Sequence, residues 1–194
     1  FVLREIAADR LYALSWNPAP APAGDVPHEI KRHAWILTAA GNAPRTPSAL
    51  LPILPAPAED PGPLPSETIV IAPFSSSPLK GWKDEFWADV VESFQPSPVA
   101  WELWVGADQI SRAEQLASRL RPRCRPCSAV VVRSGNFSEL IRGLARARLV
   151  VSVDTLAAHL AAALDAPLVA LLGGGQFGDF APWSRSERQQ WLSH

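Results

Sequence analysis

The chain has 194 residues and a mass of 21.0 kDa, enough for one sizeable hydrophobic core but short for two full nucleotide-binding domains. Hydrophobic residues at 47% and charged residues at 19% exclude a disordered chain, and a formal net charge of -1 argues against a protein built mainly to bind nucleic acid. No run reaches the ~18 consecutive apolar residues of a membrane-spanning helix.

The opening segment FVLREIAADR lacks the basic flank, apolar run and cleavage site of a signal peptide, so a cytoplasmic protein is expected. Because the chain starts at Phe1 and contains no Met, it reads as part of a longer protein. Between Pro18 and Pro65 lie runs such as NPAPAPAG and LPILPAPAEDPGPLP, which cannot sustain helix or ladder pairing and prefer extended geometry. Residues 1–65 are therefore expected to be a linker. Within it, Ile30, Ala34, Ile36 and Leu37 approximate a helical stripe that Gly41 stops, predicting a helix near 28–40.

From residue 66 onward, short β-branched runs alternate with longer amphipathic segments, the pattern of a Rossmann-like α/β fold with a parallel sheet and helices on both faces. Strands are predicted at 68–73, 99–105, 129–133, 149–153 and 168–172, and helices near 84–94, 108–120, 137–147 and 156–164. Asp108 and Asn136 are residue types that cap helices, and Asn136 with Glu139 has capping-box spacing. Ligands of such folds bind at the carboxyl ends of the strands, which selects the loops after 73, 105, 133, 153 and 172.

The loop after the first strand carries Ser75, Ser76, Ser77 and Lys80, the last being one of only three lysines, at 31, 80 and 83. Hydroxyls and a compact ammonium suit a phosphate; the same residues also suit a solvated turn. The segment VVSVDTLAAHLAAAL is more specific. Asp154 ends an apolar strand, Thr155 is placed to cap, and the free N–H groups of the following helix face the ligand edge, where a diphosphate fits. A carboxylate beside a diphosphate is tolerable where it accepts hydrogen bonds from sugar hydroxyls; the plainer alternative is a cap, with His159 a core histidine.

Gly173 to Gly178 satisfies G-x-G-x-x-G, but it follows the last predicted strand and meets Pro182 rather than a helix, so a glycine loop beside the cleft is expected instead of a dinucleotide fingerprint. Trp82, Trp87, Trp101 and Trp104 are assigned to packing. Cys124 and Cys127 form one C-x-x-C without a second pair, and the four His are scattered, so no metal is expected.

Taken together, IAPFSSSPLKGWKDEFWADV, WELWVGADQ and SGNFSELIRGLARARLVVSVDTLAAHLAAALDAPLVALLGGG resemble the C-terminal domain of glycosyltransferase family 9, the heptosyltransferase-like family of bacterial surface-polysaccharide synthesis. The resemblance covers about residues 66–183, and its strongest element is D-T-x-x-x-H-L-A-A-A-L followed by a strand and glycines. It implies the donor-binding half of a two-domain GT-B fold. By position, Lys80 would contact the donor phosphate or sugar, Ser75 and Ser76 the phosphates, and Asp108 the ribose. Asp154 and Lys80 would carry sugar and leaving-group stabilisation, Thr155, Leu156 and His159 would complete the diphosphate seat, and Gly135 and Asn136 would border the base.

The implied partners are a nucleotide-diphosphate sugar such as ADP-heptose and a glycan or lipid-linked acceptor, with no cofactor. In that family the general base is an acidic residue of the N-terminal domain, so this chain alone would not turn over. Two departures stand out: Leu156 where the family usually has Gly, and Gln176 where its glycine loop commonly has His. Leu156 keeps a second reading open, that of a non-catalytic binding domain; a GT-B enzyme of another kind, such as a sugar-nucleotide epimerase, is a third.

Overall fold

The computed structural model describes residues 53–55, 57, 67–94, 98–124, 129–173 and 183–193. The helix expected at 28–40, Cys127 and Gln176 with most of the glycine loop lie outside those residues. Strand β1 (Thr68–Ala72) is buried at every position, as a β-branched strand in the middle of a sheet covered on both faces should be. After it come a 3-10 turn (Pro78–Lys80), helix α1 (Asp84–Ser93), β2 (Ala100–Trp104), a second 3-10 turn (Ala107–Gln109) and α2 (Ile110–Leu120). Then follow β3 (Val130–Arg133), α3 (Phe137–Arg146), β4 (Leu149–Val153), α4 (Leu156–Ala163), β5 (Leu168–Leu172) and β6 (Gln189–Ser193).

The six strands form one parallel sheet in the order β3-β2-β1-β4-β5-β6. Its central register sets Ile69 between Trp101 of β2 and Leu149 of β4. Helices α1 and α2 pack on each other over one face, where Ile69, Ile71, Trp101, Leu103 and Val151 meet Trp87, Val91, Leu116 and Leu120 in a continuous core. Alternate strand residues point to the opposite face, where α3 packs on α4. The expected Rossmann-like α/β sheet, with helices on both faces, is what the chain forms.

Expectation and structure part at three places. Strand β6 was not predicted: QQWLS has little β-branched character, and it is held by pairing with β5, Leu168 opposite Gln189. Asp108 does not cap α2. It lies in the preceding 3-10 turn, and the N-cap position falls to Gln109 with no side-chain cap bond. Thr155 occupies the N-cap position of α4, but its hydroxyl makes no cap bond. Asn136 does cap α3: Oδ1 accepts from the Glu139 amide at 3.0 Å, while Glu139 Oε2 accepts from the Asn136 amide at 2.7 Å.

Helix α4 is locked at its far end. Asp165 adopts φ 57, and the Ala166 and Asp165 amides donate to the Ala161 and Ala162 carbonyls at 3.0 and 3.1 Å, a Schellman closure. Arg185 Nη1 donates to the Ala163 carbonyl at 2.8 Å and Gln189 Nε2 adds a further donor to that of Ala162 at 3.1 Å, so the segment carrying β6 is fastened to the helix end.

Two predictions follow from these contacts. Gly143 of α3 lies against the Trp104 ring, where an added Cβ would meet Cζ2 at 2.8 Å and Cε2 at 2.9 Å. Gly143→Ala should therefore destabilise by about 1–2 kcal/mol in urea titration, although Ala favours helix by about 1 kcal/mol, because a rigid indole cannot yield. The Ser186 hydroxyl and the Arg188 guanidinium beside Asp165 hold its carboxyl below its ordinary value of 3.8. The stability this adds is complete above that value and is lost as pH falls towards the lower folded one. Asp165→Asn, which tolerates the same backbone, should thus lag wild type at neutral pH, and the gap should close in denaturant melts as pH falls below the ordinary carboxylate value.

Candidate functional site

The strand order reverses between β1 and β4, and loops leaving the carboxyl ends of neighbouring strands there part in opposite directions, opening a crevice. Lys80, from the loop after β1, and Asp154, immediately after β4, meet in it: Lys80 Nζ lies 2.9 Å from Asp154 Oδ2. The lysine side chain is 27% exposed and the aspartate side chain 8%, so the carboxylate is the buried member of the pair.

Local structure explains why Lys80 reaches that point. The Ser77 amide donates to Ser75 Oγ at 3.3 Å, and the Lys80 and Gly81 amides donate to the Ser77 and Pro78 carbonyls at 3.1 Å each, winding the loop into a tight turn. That turn lies directly over the end of β5. A Cβ at Gly173 would sit 2.8 Å from the Leu79 carbonyl oxygen, so glycine there is what lets the loop descend.

Asp154 has a second partner. His159, one turn into α4, sets Nε2 3.4 Å from Asp154 Oδ1, while its Nδ1 accepts from Trp183 Nε1 at 3.1 Å. The His159 ring stacks on Trp183 at an interplanar angle of 14° and lies 5.7 Å from the Trp191 ring.

Two cavities open at this edge of the sheet. One, of about 270 Å³, runs across the ends of β1, β2 and β3 to the first turn of α4 and is lined by Phe74, Ser76, Trp104, Gly106, Thr155 and Leu156, among others. The other, of about 280 Å³, is lined by Lys80, Trp82, Val153, Leu171, Gly173 and Leu192, and is apolar apart from the lysine. The structure thus brings Ser76, Gly135, Thr155 and Leu156 to the first cavity and Lys80 to the second, with Asp154 and His159 buried or half-buried behind.

Ser75 spends its hydroxyl on its own turn, Asn136 is committed to the α3 cap, and Asp108 is exposed beside Gly106. Sequence reasoning missed Phe74, Gly106, Gln109 and Leu140 as lining residues, although Phe74 and Gly106 lie in the two strand-end loops it selected. The tryptophans divide: Trp87 and Trp101 are core, whereas Trp82 and Trp104 pack and also wall a cavity. Trp104 is fixed from behind, its Nε1 donating at 3.0 Å to buried Glu102, which Arg133 holds through Nε and Nη2.

Because the carboxylate is the buried member, the pair is asymmetric. Lys80→Ala strands a buried acceptor and should cost about 1–3 kcal/mol in chemical denaturation, whereas Asp154→Asn leaves a lysine free to reach water and should cost less. Equal losses would mean that the carboxylate is as well hydrated as the ammonium.

Residues 31–194 match the model of glycosyltransferase family 9 (heptosyltransferase). Over 109 residues the chain is 32% identical to lipopolysaccharide heptosyltransferase 1 of Pseudomonas aeruginosa, a stretch that is 56% of this chain and 29% of that protein. Among solved structures, E. coli heptosyltransferase WaaC with ADP matches with 27% identity and a TM-score of 0.50, over 66% of this chain and 37% of that one. E. coli ADP-heptose lps heptosyltransferase II matches with 22% identity and a TM-score of 0.55, over 64% and 38% respectively, a likeness of fold. The chain spans about a third of the length of these relatives. A strand-ordered crevice with its lysine and aspartate, a helix start that lines one cavity and a family match over most of the sequence lead to one assignment: the chain belongs to glycosyltransferase family 9, the heptosyltransferase family.

Proposed function

We propose that this chain is the donor-binding half of a GT-B glycosyltransferase that moves a heptose or related sugar from a nucleotide-diphosphate donor to a lipopolysaccharide or surface-polysaccharide acceptor. In this reading residues 66–194 are the nucleotide-sugar domain and 1–65 a proline-rich linker. The observation that carries it is the Lys80–Asp154 pair in the crevice, beside the first turn of α4, in a member of this family. A relative solved with ADP supports the nucleotide class.

The base and ribose would occupy the cavity walled by Phe74, Trp104 and Gly106, with the diphosphate at Ser76, Thr155 and the first amides of α4. Lys80 would meet the departing diphosphate. In the reaction an acceptor hydroxyl attacks the anomeric carbon, the bond from that carbon to the diphosphate oxygen breaks, and the hydroxyl proton passes to a base outside this chain. Lys80 and the dipole of α4 stabilise the negative charge that grows on the leaving group. Asp154, with one oxygen on Lys80, would turn towards sugar hydroxyls as the lysine moves to phosphate.

Six of the large apolar side chains exposed on the described surface, Leu79, Phe86, Ile110, Phe137, Leu156 and Leu192, belong to elements that start or end at the carboxyl edge of the sheet. That supports a cleft closed by further protein, where an acceptor would bind, with the enzyme acting on the cytoplasmic side of the inner membrane. Among the described residues no helix is long and apolar enough to cross a membrane. Leu156, which is 55% exposed at the helix start, favours the second reading of a domain that has lost donor affinity.

Calorimetry decides between the two. ADP and ADP-sugars should bind this chain with micromolar to millimolar affinity, and folded chain that takes up none of them at millimolar concentration would sink the transferase reading. In a protein complete with its acceptor domain, Lys80→Ala and Asp154→Ala should each lower turnover at least about tenfold, roughly 1.4 kcal/mol of barrier.

A further inference from the structure

Strand β2 carries a carboxylate where a parallel sheet covered on both faces usually has hydrocarbon. Glu102 is 7% exposed and stands in register with Val70 of β1 and Val131 of β3. Sealing a charge there is costly, and an apolar residue of similar size would serve the sheet at least as well. Both of its oxygens are in use. Oε1 accepts from Arg133 Nε at 3.2 Å and Nη2 at 3.1 Å, and Oε2 accepts from Trp104 Nε1 at 3.0 Å. The three side chains share one face of the sheet, Trp104 lying two residues along β2 from Glu102 and in register with Arg133 of β3. From the helix side, the α3 backbone at Gly143 abuts the indole so closely that a Cβ would collide with it. What remains of the ring lines the cavity of about 270 Å³, together with Phe74, Gly106 and Leu140. None of the described residues lining that cavity is charged, and the indole N–H is spent on Glu102.

We propose that Trp104 reads the base of the donor by stacking, and that Glu102 is a positioning residue that holds the indole for that contact. The stacking half rests on the donor reading given above; the positioning half does not. An aromatic wall that offers no side-chain donor recognises a planar base through area and shape. Without the Glu102 acceptor, the half-buried indole would keep an N–H with no partner, and turning the ring to bring that group to water would carry the wall with it. Arg133 completes the arrangement from the edge strand. Its side chain is 49% exposed, so the charge that balances Glu102 stays in contact with water. The diphosphate seat at Ser76 and Thr155 shares none of these bonds, so the clamp acts on affinity for the base and leaves affinity for the phosphates alone.

The test is calorimetry on this chain with two probes, ADP and inorganic pyrophosphate, which has the diphosphate without the base. Trp104→Ala should weaken ADP about tenfold and pyrophosphate less than about twofold. Two double variants then differ only in the acceptor. Glu102→Gln with Arg133→Met keeps a carbonyl oxygen for Trp104 Nε1, Glu102→Leu with Arg133→Met keeps none, and neither buries an unpaired charge. ADP affinity should stay within about twofold of wild type in the Gln variant and fall about fivefold in the Leu variant, with pyrophosphate within about twofold in both. In ¹H–¹⁵N spectra of ¹⁵N-labelled chain, the Trp104 indole signal, identified by its loss in Trp104→Ala, should move further in the Leu variant than in the Gln variant.

Equal ADP affinity in the Gln and Leu variants, an indole signal that moves alike in both, or a Trp104→Ala loss that falls on pyrophosphate as heavily as on ADP would each overturn the proposal. Should the Leu variant lose its fold, Glu102→Gln alone replaces it. Arg133 then competes with Trp104 for a single carbonyl, and ADP should weaken about threefold while pyrophosphate does not; an unchanged ADP affinity would overturn the clamp. Should Trp104→Ala lose its fold, Trp104→Leu, which fills more of the space without an aromatic face, takes its place with the same outcomes. Wild-type chain that binds pyrophosphate as tightly as ADP keeps the diphosphate seat and overturns the base wall. Chain that binds neither removes the donor reading and the stacking role with it, and the indole spectra then decide the positioning claim by themselves.

Discussion

Lys80 and Asp154 come from loops that leave adjacent strands, and they meet where the sheet changes direction. Bringing a carboxylate into so dry a place is costly unless a cation comes with it, and the cation must remain near enough to solvent to serve a ligand. Much of the surrounding structure follows from meeting both conditions. The 3-10 turn at Pro78–Lys80 aims the lysine downwards, Gly173 clears the backbone beneath it, and His159 occupies the carboxylate oxygen that the lysine leaves. In the proposed donor-binding role, Lys80 would exchange Asp154 for a ligand phosphate, one negative partner for another, at little electrostatic cost.

The two cavities at this edge of the sheet differ in chemistry, and Lys80 lines only one of them. One offers backbone amides, a serine and an indole edge fixed from behind by Glu102 and Arg133; the other is largely hydrocarbon around a single ammonium. Such a division suits a ligand with a polar, hydrogen-bonding portion and a charged linkage at its middle. Leu156 intrudes on the polar side. At the first position of α4 it leaves the helix amides in place but adds bulk beside them, so its effect is steric and not electrostatic.

Most of the layered fold was legible because each strand from β1 to β5 is a short run dominated by Val, Ile, Leu or Trp, bounded by breakers, and four helices fell between them within a few residues of their expected ends. Strand β6 was not, because its membership of the sheet comes from pairing with β5 and from Gln189, whose buried amide reaches the α4 carbonyls. Lys80 and Asp154 could be singled out by residue type together with the rule that ligands gather at strand ends. The bond from Trp183 to His159 spans 24 residues, and no periodicity or spacing marks it. Asp108 and Thr155 show the limit of capping chemistry as a guide: both are residues that cap well, yet neither side chain caps here.

The composition of α4 has one more consequence. Ala157, Ala158, Ala161, Ala162 and Ala163 are all buried, with Leu160 between them, so the helix is sealed by methyl groups against the sheet and α3. A larger side chain at any of those positions has nowhere to go, which leaves sequence drift only the outward-facing first turn, Thr155 and Leu156, and the half-buried His159. Diversification of this domain towards new ligands is thereby channelled to the few positions that border the crevice, while the scaffold behind them can barely change.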